Sequence, residues 1–258
     1  MLKLTNKKSV LKTIGYLSGI LALLLVWHII ALWLSNPVLL PSPWNAIAEV
    51  VRMFLRPNFY WEWLYTIIRG LAGFAIALIV ASGIGLMSAI WRPAWFLFSP
   101  LLGAIRSTPV ISFILLALIW FGSEIVPVFI GILTMLPLIS FGIVDGIRNT
   151  DGELLEMAKS FRISRWNMFR HIYIPSLLPF LFNGTSNAMG FGWRAVIIGE
   201  VLSQPFRGIG SRMRDAQNYL NVPELIGWTL VAILTGYLFE TLVRKAEKSL
   251  MRWKSVTT

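Results

Sequence analysis

With 56% apolar and 14% charged residues among 258, this chain is far more hydrophobic than a soluble domain, which carries about 25% charged residues. Its composition also excludes disorder, which needs low hydrophobicity, and the absence of cysteine excludes disulfides, thiolate nucleophiles and Cys-ligated metal sites. The net charge of +11 is not a nucleic-acid footprint, because the basic residues cluster at both chain ends and in one middle loop, between uncharged stretches of membrane-spanning length.

Lys3, Lys7, Lys8 and Lys12 precede an apolar run from Ile14 to Leu34, 21 residues long. At 1.5 Å per residue that is about 31 Å of helix, enough to cross a bilayer. Ala31-Leu32-Trp33-Leu34 offers no small-residue cleavage site, so a retained first span is expected rather than a signal peptide. His28 within it is expected to be a packed, hydrogen-bonded side chain. The second span runs from Thr66 to Ile90, with Arg69 near one end; Gly73, Ala77, Ala81, Gly85 and Ala89 recur every four residues along it as a helix-packing seam. The third, Trp95 to Phe121, is interrupted by Pro100, Arg106 and Pro109 and leaves two readings open, one continuous rod or a half-helix plus a short span, since proline removes a backbone donor and kinks a helix. Val126 to Val144 is the fourth, with Pro137 inside. Ile174 to Leu202 is the fifth, carrying Arg194 and Glu200, and Leu225 to Val243 is the sixth, with Glu240 near its end.

Six spans put both termini on one side. That side then holds fifteen basic residues: Lys3, Lys7, Lys8 and Lys12; Arg92; Arg148, Lys159, Arg162, Arg165 and Arg170; and Arg244, Lys245, Lys248, Arg252 and Lys254. The other side has five, Arg52, Arg56, Arg207, Arg212 and Arg214. An excess of Lys and Arg marks the cytoplasmic side, so both termini are expected there. Trp27, Trp33, Trp61, Trp63, Trp91 and Trp95 lie near span ends, where interfacial anchors belong. The fold expected is all-α: a polytopic membrane helix bundle of about six transmembrane helices, forming one domain over residues 1–258.

In the fifth span, Asn183, Asn187, Gly190 and Arg194 are spaced 4, 3 and 4 and so share a helical face. Polar groups are costly in hydrocarbon without partners, which points this face at the bundle interior or a wet cavity. Two readings stay open: interhelical hydrogen-bond glue, with Arg194 paired to Glu200 or a backbone carbonyl, or a lining of the solute path. Arg106 in the broken third span carries the same pair of readings.

Residues 145–171 form the longest cytoplasmic loop. Asp151 is placed to cap a short helix from Gly152 to about Phe161, with Glu153 near its positive end. Leu154, Leu155 and Ala158 give that helix an apolar stripe, and Trp166, Phe169 and Ile172 line one side of a second amphipathic piece. A cytoplasmic helix with exposed apolar side chains is a docking element for a partner or for its own bundle.

The run Glu156-Met157-Ala158, then Arg162, then Ile172-Tyr173-Ile174-Pro175 resembles the EAA loop of binding-protein-dependent ABC importer permeases, whose motif reads E-A-A, three residues, G, nine residues, I-x-L-P. Leu40-Pro41-Ser42-Pro43, Ile105-Arg106-Ser107-Thr108-Pro109, Trp120-Phe121-Gly122 and Ser164-Arg165-Trp166 are similar to phrases of the nitrate/sulfonate/taurine/bicarbonate branch. The resemblance runs from about Leu40 to the C-terminus. It departs at the first motif alanine (Met157), the motif leucine (Ile174) and the glycine (Arg162), where arginine lacks glycine's tolerance of positive φ.

The resemblance implies a type I ABC importer permease (MetI-like) in a bacterial plasma (inner) membrane. It further implies a cytoplasmic ABC ATPase dimer that binds ATP and Mg, an extracytoplasmic solute-binding protein, and a second permease chain within the lipid bilayer, expected to be a second copy in a homodimer, with a heterodimer with a sister chain as the alternative. Glu156 would be the polar contact to the ATPase, Met157 and Ala158 would pack against it, and Pro175 would set the entry angle of the fifth span. No G-x-x-x-x-G-K-[ST] loop occurs, so no ATP and no other cofactor is expected on this chain, and the placement of the basic residues leaves no nucleic acid among the expected partners. If they line the path, Arg106 and Arg194 favour a small anion such as nitrate, a sulfonate or bicarbonate; a thiamine precursor or riboflavin-like solute is the alternative within the branch. A membrane enzyme is disfavoured by only two histidines and no intraspan carboxylate doublet. An ion-coupled secondary transporter would have to use Glu200 or Glu240.

Overall fold

The computed structural model describes residues 2–36 and 38–250, with side chains described for 15–36, 38–247 and 249. Arg252 and Lys254 therefore lie outside the described residues, as do the side chains of Lys3, Lys7, Lys8, Lys12 and Lys248. Among the described residues the chain is all helix, without a strand. In order the helices are α1 (Leu2–Leu34), α2 (Pro43–Phe54), α3 (Pro57–Ile90), α4 (Arg92–Ser107), α5 (Val110–Trp120), α6 (Val126–Arg148), α7 (Gly152–Ser160) and α8 (Arg165–Met168). A π-helical turn (Phe169–Tyr173) leads into α9 (Ile174–Ser203), followed by α10 (Ile209–Asn218) and α11 (Val222–Leu250).

Among the described residues α1, α3, α6 and α11 are long and apolar enough to cross a membrane, and α4 with α5 makes a fifth candidate bent by 100°. The sixth expected span, α9, has the length at 30 residues but falls short on apolar composition. The polar residues that single it out in the sequence are what lower it. Of the two readings of the third span, continuous or broken, the structure has the broken one, with the break at one place. Thr108 precedes Pro109 and is extended (φ −76°, ψ 134°), because the proline ring disfavours helical geometry in the residue before it. Pro100 and Pro137 sit inside α4 and α6 without ending them.

The chain groups into two compact units, one from residues 1–60 and 213–231, the other from 61–212 and 232–258. In the first unit, Ser42 caps α2 by accepting from the Asn45 amide at 3.3 Å, with Pro43 at the helix start where no N–H is needed. Glu49 is buried and held by Arg52 and Arg56, and Phe59 stacks on Trp228 at 5.3 Å between centroids. His28 is exposed beside a small cleft of about 350 Å³ bordered by Ser35, Asn36 and Asn45, rather than packed in the bundle.

In the second unit α6 and α9 run antiparallel in close contact. Added β-carbons at Gly131, Gly192 and Gly199 would meet Val196, Met135 and Pro127 within 3 Å. Small residues let backbones approach to this degree, and packing replaces the hydrophobic effect as the force between helices in lipid. The stripe on α3 does the same against α6: Ala77 and Ala81 are fully buried, and a β-carbon on Gly85 would stand 2.9 Å from Ile143. Trp193 of α9 wedges between Gly70 of α3 and Gly236 of α11, donating its indole N–H to the Ala232 carbonyl at 2.9 Å.

Candidate functional site

The loop after α6 is built as its local sequence dictates. The Asp151 carboxylate accepts from the Glu153 amide at 2.9 Å, satisfying an orphan donor at the start of α7. At the other end Arg162 adopts φ +51°, a left-handed conformation that glycine, the residue of the resembling motif at this position, tolerates and other residues rarely adopt. Its amide bonds the Lys159 carbonyl at 3.0 Å, and the Ile163 amide bonds the Ala158 carbonyl at 2.9 Å. These two bonds are the Schellman closure, so the tight turn survives the loss of glycine, at a strain of about 1–2 kcal/mol for a residue with a β-carbon.

Ser164 then caps α8 through the Asn167 amide at 3.3 Å. The second amphipathic piece is not a separate element: α8, the π-turn and α9 follow one another without a break. The Ile174 amide reaches back five residues to the Phe169 carbonyl, and Pro175 enters at the first turn of α9. A proline ring clashes with the carbonyl four residues before it, and the wider π-turn relieves that clash where the span begins.

Within this element Ala158 is fully buried in its own chain, so of the two motif residues expected to pack on a partner only Met157 is free to do so. Glu156 is exposed on the same short helix. Leu154, Met157, Phe161 and Trp166 are exposed as well, Phe161 by 76% and Trp166 by 67%. Burying side chains of this kind is worth about 1.5–3 kcal/mol each. Ile172, Ile174 and Pro175 are half-buried.

Asn183, Asn187 and Arg194 share a face of α9 as expected, but that face is exposed on the single chain instead of turned into its bundle. Asn187 donates to Asn183 at 3.4 Å, and the Arg194 guanidinium lies over the Phe191 ring at 5.3 Å. Arg194 does not pair with Glu200. Arg106 is exposed in the last turn of α4, just before the break. Neither arginine is ion-paired among the described residues.

Glu200 belongs to a buried network that sequence reasoning did not find. The side chain has no exposed surface and accepts from Arg69 Nη1 at 2.7 Å, Thr66 Oγ1 at 2.9 Å and the Gly210 amide at 2.9 Å. Thr66 Oγ1 accepts from the Ile209 amide at 2.8 Å, and buried Glu62 takes the Gly208 amide at 2.8 Å and Arg212 at 2.6 Å. Arg69 also bridges to Glu124, whose other oxygen accepts from the Phe206 amide at 2.7 Å. Gly208 has φ +151°, and a β-carbon on Gly210 would stand 2.6 Å from the Ile197 carbonyl, so only glycines let this loop close over the carboxylate. The signal lay in α3: Glu62, Thr66 and Arg69 recur at spacings of 4 and 3 on one face. Glu200 is held by Arg69, and Glu240 pairs with Arg244 at 2.7 Å on an exposed helix face.

Comparison with known proteins agrees with this architecture. A family model described as "Binding-protein-dependent transport system inner membrane component" matches residues 81–246. Among curated proteins, one named as an aliphatic sulfonates transport permease, SsuC of Bacillus subtilis, is 22% identical over 97% of this chain and 92% of its own length. The bicarbonate transport system permease CmpB of Synechococcus elongatus is 24% identical over 92% of this chain and 88% of its own. SsuC of Escherichia coli is 28% identical over 86% and 84%. Among solved structures, an amino acid ABC transporter with histidines superposes with a TM-score of 0.64 at 16% identity, covering 79% of this chain and 96% of that one. The MetNI methionine ABC transporter in an inward-facing conformation gives 0.54 at 15% identity, covering 81% and 97%. At these identities the solved structures show a shared fold, that of type I ABC importer permeases.

Proposed function

The chain belongs to the binding-protein-dependent transport system inner membrane component family and is a multi-pass permease of the ABC importer type, and from that premise we propose how it works. Residues 1–258 act as one transmembrane permease domain that pairs with a second copy to enclose the solute path. Both termini and the α7–α8 element face the cytoplasm, where an ABC ATPase dimer grips the element; ATP and Mg are bound by that ATPase. An extracytoplasmic solute-binding protein delivers the cargo from the opposite side.

One observation carries this reading: α7 is locked to its own chain through Ala158 and the Schellman turn while Glu156, Met157 and Phe161 project outward. A grip on those side chains is transmitted through α8 and the π-turn into α9 without an intervening flexible loop. At 1.5 Å per residue α9 is about 45 Å long, so a tilt of about 10° moves its far end by about 8 Å. The α6–α9 contact and the Glu200 network favour movement of these helices as a rigid body, which is the hinge-like class of transition.

The solute is a small anion. Arg106 and Arg194 are exposed without ion pairs, the Asn183–Asn187–Arg194 face is left for the second copy to cover, and relatives are named for sulfonates and bicarbonate. Reconstitution with the ATPase and binding protein in proteoliposomes tests this. ATP-dependent uptake of an alkanesulfonate, bicarbonate or nitrate is expected, with Arg194→Gln lowering it about tenfold or more, the value of one charged hydrogen bond. Uptake of a neutral thiamine-precursor pyrimidine instead, with Arg194→Gln silent, would overturn the anion reading and leave the importer reading intact.

A further inference from the structure

A cleft of about 840 Å³ opens where α3 ends. Ile90 of α3, Ile147 of α6, Ile163 and Phe169 give it apolar walls, and Lys159 and Arg165 are the charged groups of its lining. No carboxylate lines it, and neither cation is ion-paired among the described residues. Its depth in the membrane follows from α3. The apolar stretch from Thr66 stops at Ile90, and the next residue, Trp91, is 57% exposed, as an interfacial anchor is. The cleft thus lies level with the end of that apolar stretch, with Ile90, 74% exposed, at its edge.

We propose that this cleft binds the phosphate headgroup of an anionic glycerophospholipid of the surrounding leaflet. The two cations take the phosphate, and an acyl chain follows the apolar wall past Ile90 into the bilayer. Basic pockets between spans at the membrane surface recognise lipid headgroups by this combination. A soluble anion would use the cations but leave the apolar walls wet, which is why the charge pattern and the walls together favour a lipid. The bound lipid would join α7 and α8 to the end of α3, so that the coupling element is braced against a span from which it is remote in sequence. This assignment needs only the membrane location of the chain, and neither the solute nor the ATPase partner enters it.

Native mass spectrometry of the full chain, released from micelles holding phosphatidylglycerol and phosphatidylcholine in equal amounts, reads the site directly. The wild-type chain should retain phosphatidylglycerol in preference. Each of Lys159→Gln and Arg165→Gln should lower that preference about fivefold and the double variant about 30-fold, with phosphatidylcholine retention unchanged. The single variants keep the test open should the double variant fail to fold. Arg165→Lys should retain the preference, and Arg244→Gln, outside the cleft, should not alter it. Equal retention of the two lipids by the wild-type chain, or undiminished preference in both Gln variants, overturns the proposal. Displacement of phosphatidylglycerol by millimolar inorganic phosphate also overturns it, by making the cleft a soluble-anion site.

Discussion

Replacing Arg69 with methionine removes a charge from the most deeply buried polar cluster of the chain while keeping most of the volume of its stem. Glu200, with no exposed surface, would keep its bonds from Thr66 and Gly210 but lose its countercharge. Breaking a buried pair from one side costs about 3–5 kcal/mol, because the remaining charge is uncompensated. Glu200→Gln is milder: it still offers an oxygen to the Gly210 amide, and Arg69 keeps Glu124, so the loss is about 1–3 kcal/mol. In the double variant Arg69→Met/Glu200→Gln neither buried charge remains, so the total should fall below the sum of the singles by about 0.5–3 kcal/mol. Thermal unfolding of the purified chain in one detergent reads the series. About 2–4 °C per kcal/mol applies to a chain of this length, so Arg69→Met should melt roughly 6–20 °C below wild type. A shift under about 3 °C, or full additivity of the two substitutions, would refute the view that Arg69 and Glu200 are a coupled buried pair.

Arg162→Gly should stabilise the α7–α8 turn by about 1–2 kcal/mol, because glycine occupies φ +51° without the β-carbon clash; slower amide exchange at Arg162 and Ile163, whose N–H groups close the turn, is the readout, and faster exchange would contradict the Schellman assignment. Gly210→Ala should lower the melting temperature more than Gly192→Ala. The new β-carbon meets backbone in the first case, the Ile197 carbonyl at 2.6 Å and the Val201 nitrogen at 2.9 Å, and only side-chain atoms of Met135 (Cε, Cγ and Sδ) in the second, so the backbone must yield only at Gly210. A larger loss at Gly192 would count against the closely packed loop over Glu200.

What could be read from the sequence follows the range over which each feature is determined. The α7 helix, its Asp151 cap and its Glu153 first-turn charge depend on residues within one turn of each other, and the helix ends within one residue of where its pattern stops. The small-residue stripe of α3 reads as a seam for the same reason, since any face so lined admits a helix, whichever one arrives. Arg162 shows the limit of motif reasoning. The residue type argues against positive φ, yet the two Schellman bonds and buried Ala158 over-determine the turn and impose it. For α9, spacing fixes which residues share a face but not whether that face meets its own bundle or a surface left open on one chain. The Glu200 cluster was missed because its partners stand 131 residues apart, and each charge alone looks like an ordinary span-end residue. The π-turn before Pro175 has no pattern of its own in the sequence.

The claim on which the account turns is that α7 is a lever driven by a separate motor, and Glu156→Lys tests it most directly. In proteoliposomes holding the permease, its ATPase and the binding protein, solute uptake and ATP hydrolysis are measured together for wild type and variant. Glu156 is exposed, so the variant should fold and melt as wild type does. The account predicts that uptake falls by about tenfold or more, the loss expected when an attractive charged contact to the motor becomes repulsive, with hydrolysis no longer matched to transport. Wild-type uptake by Glu156→Lys, or uptake by the permease with no ATPase present, would contradict it.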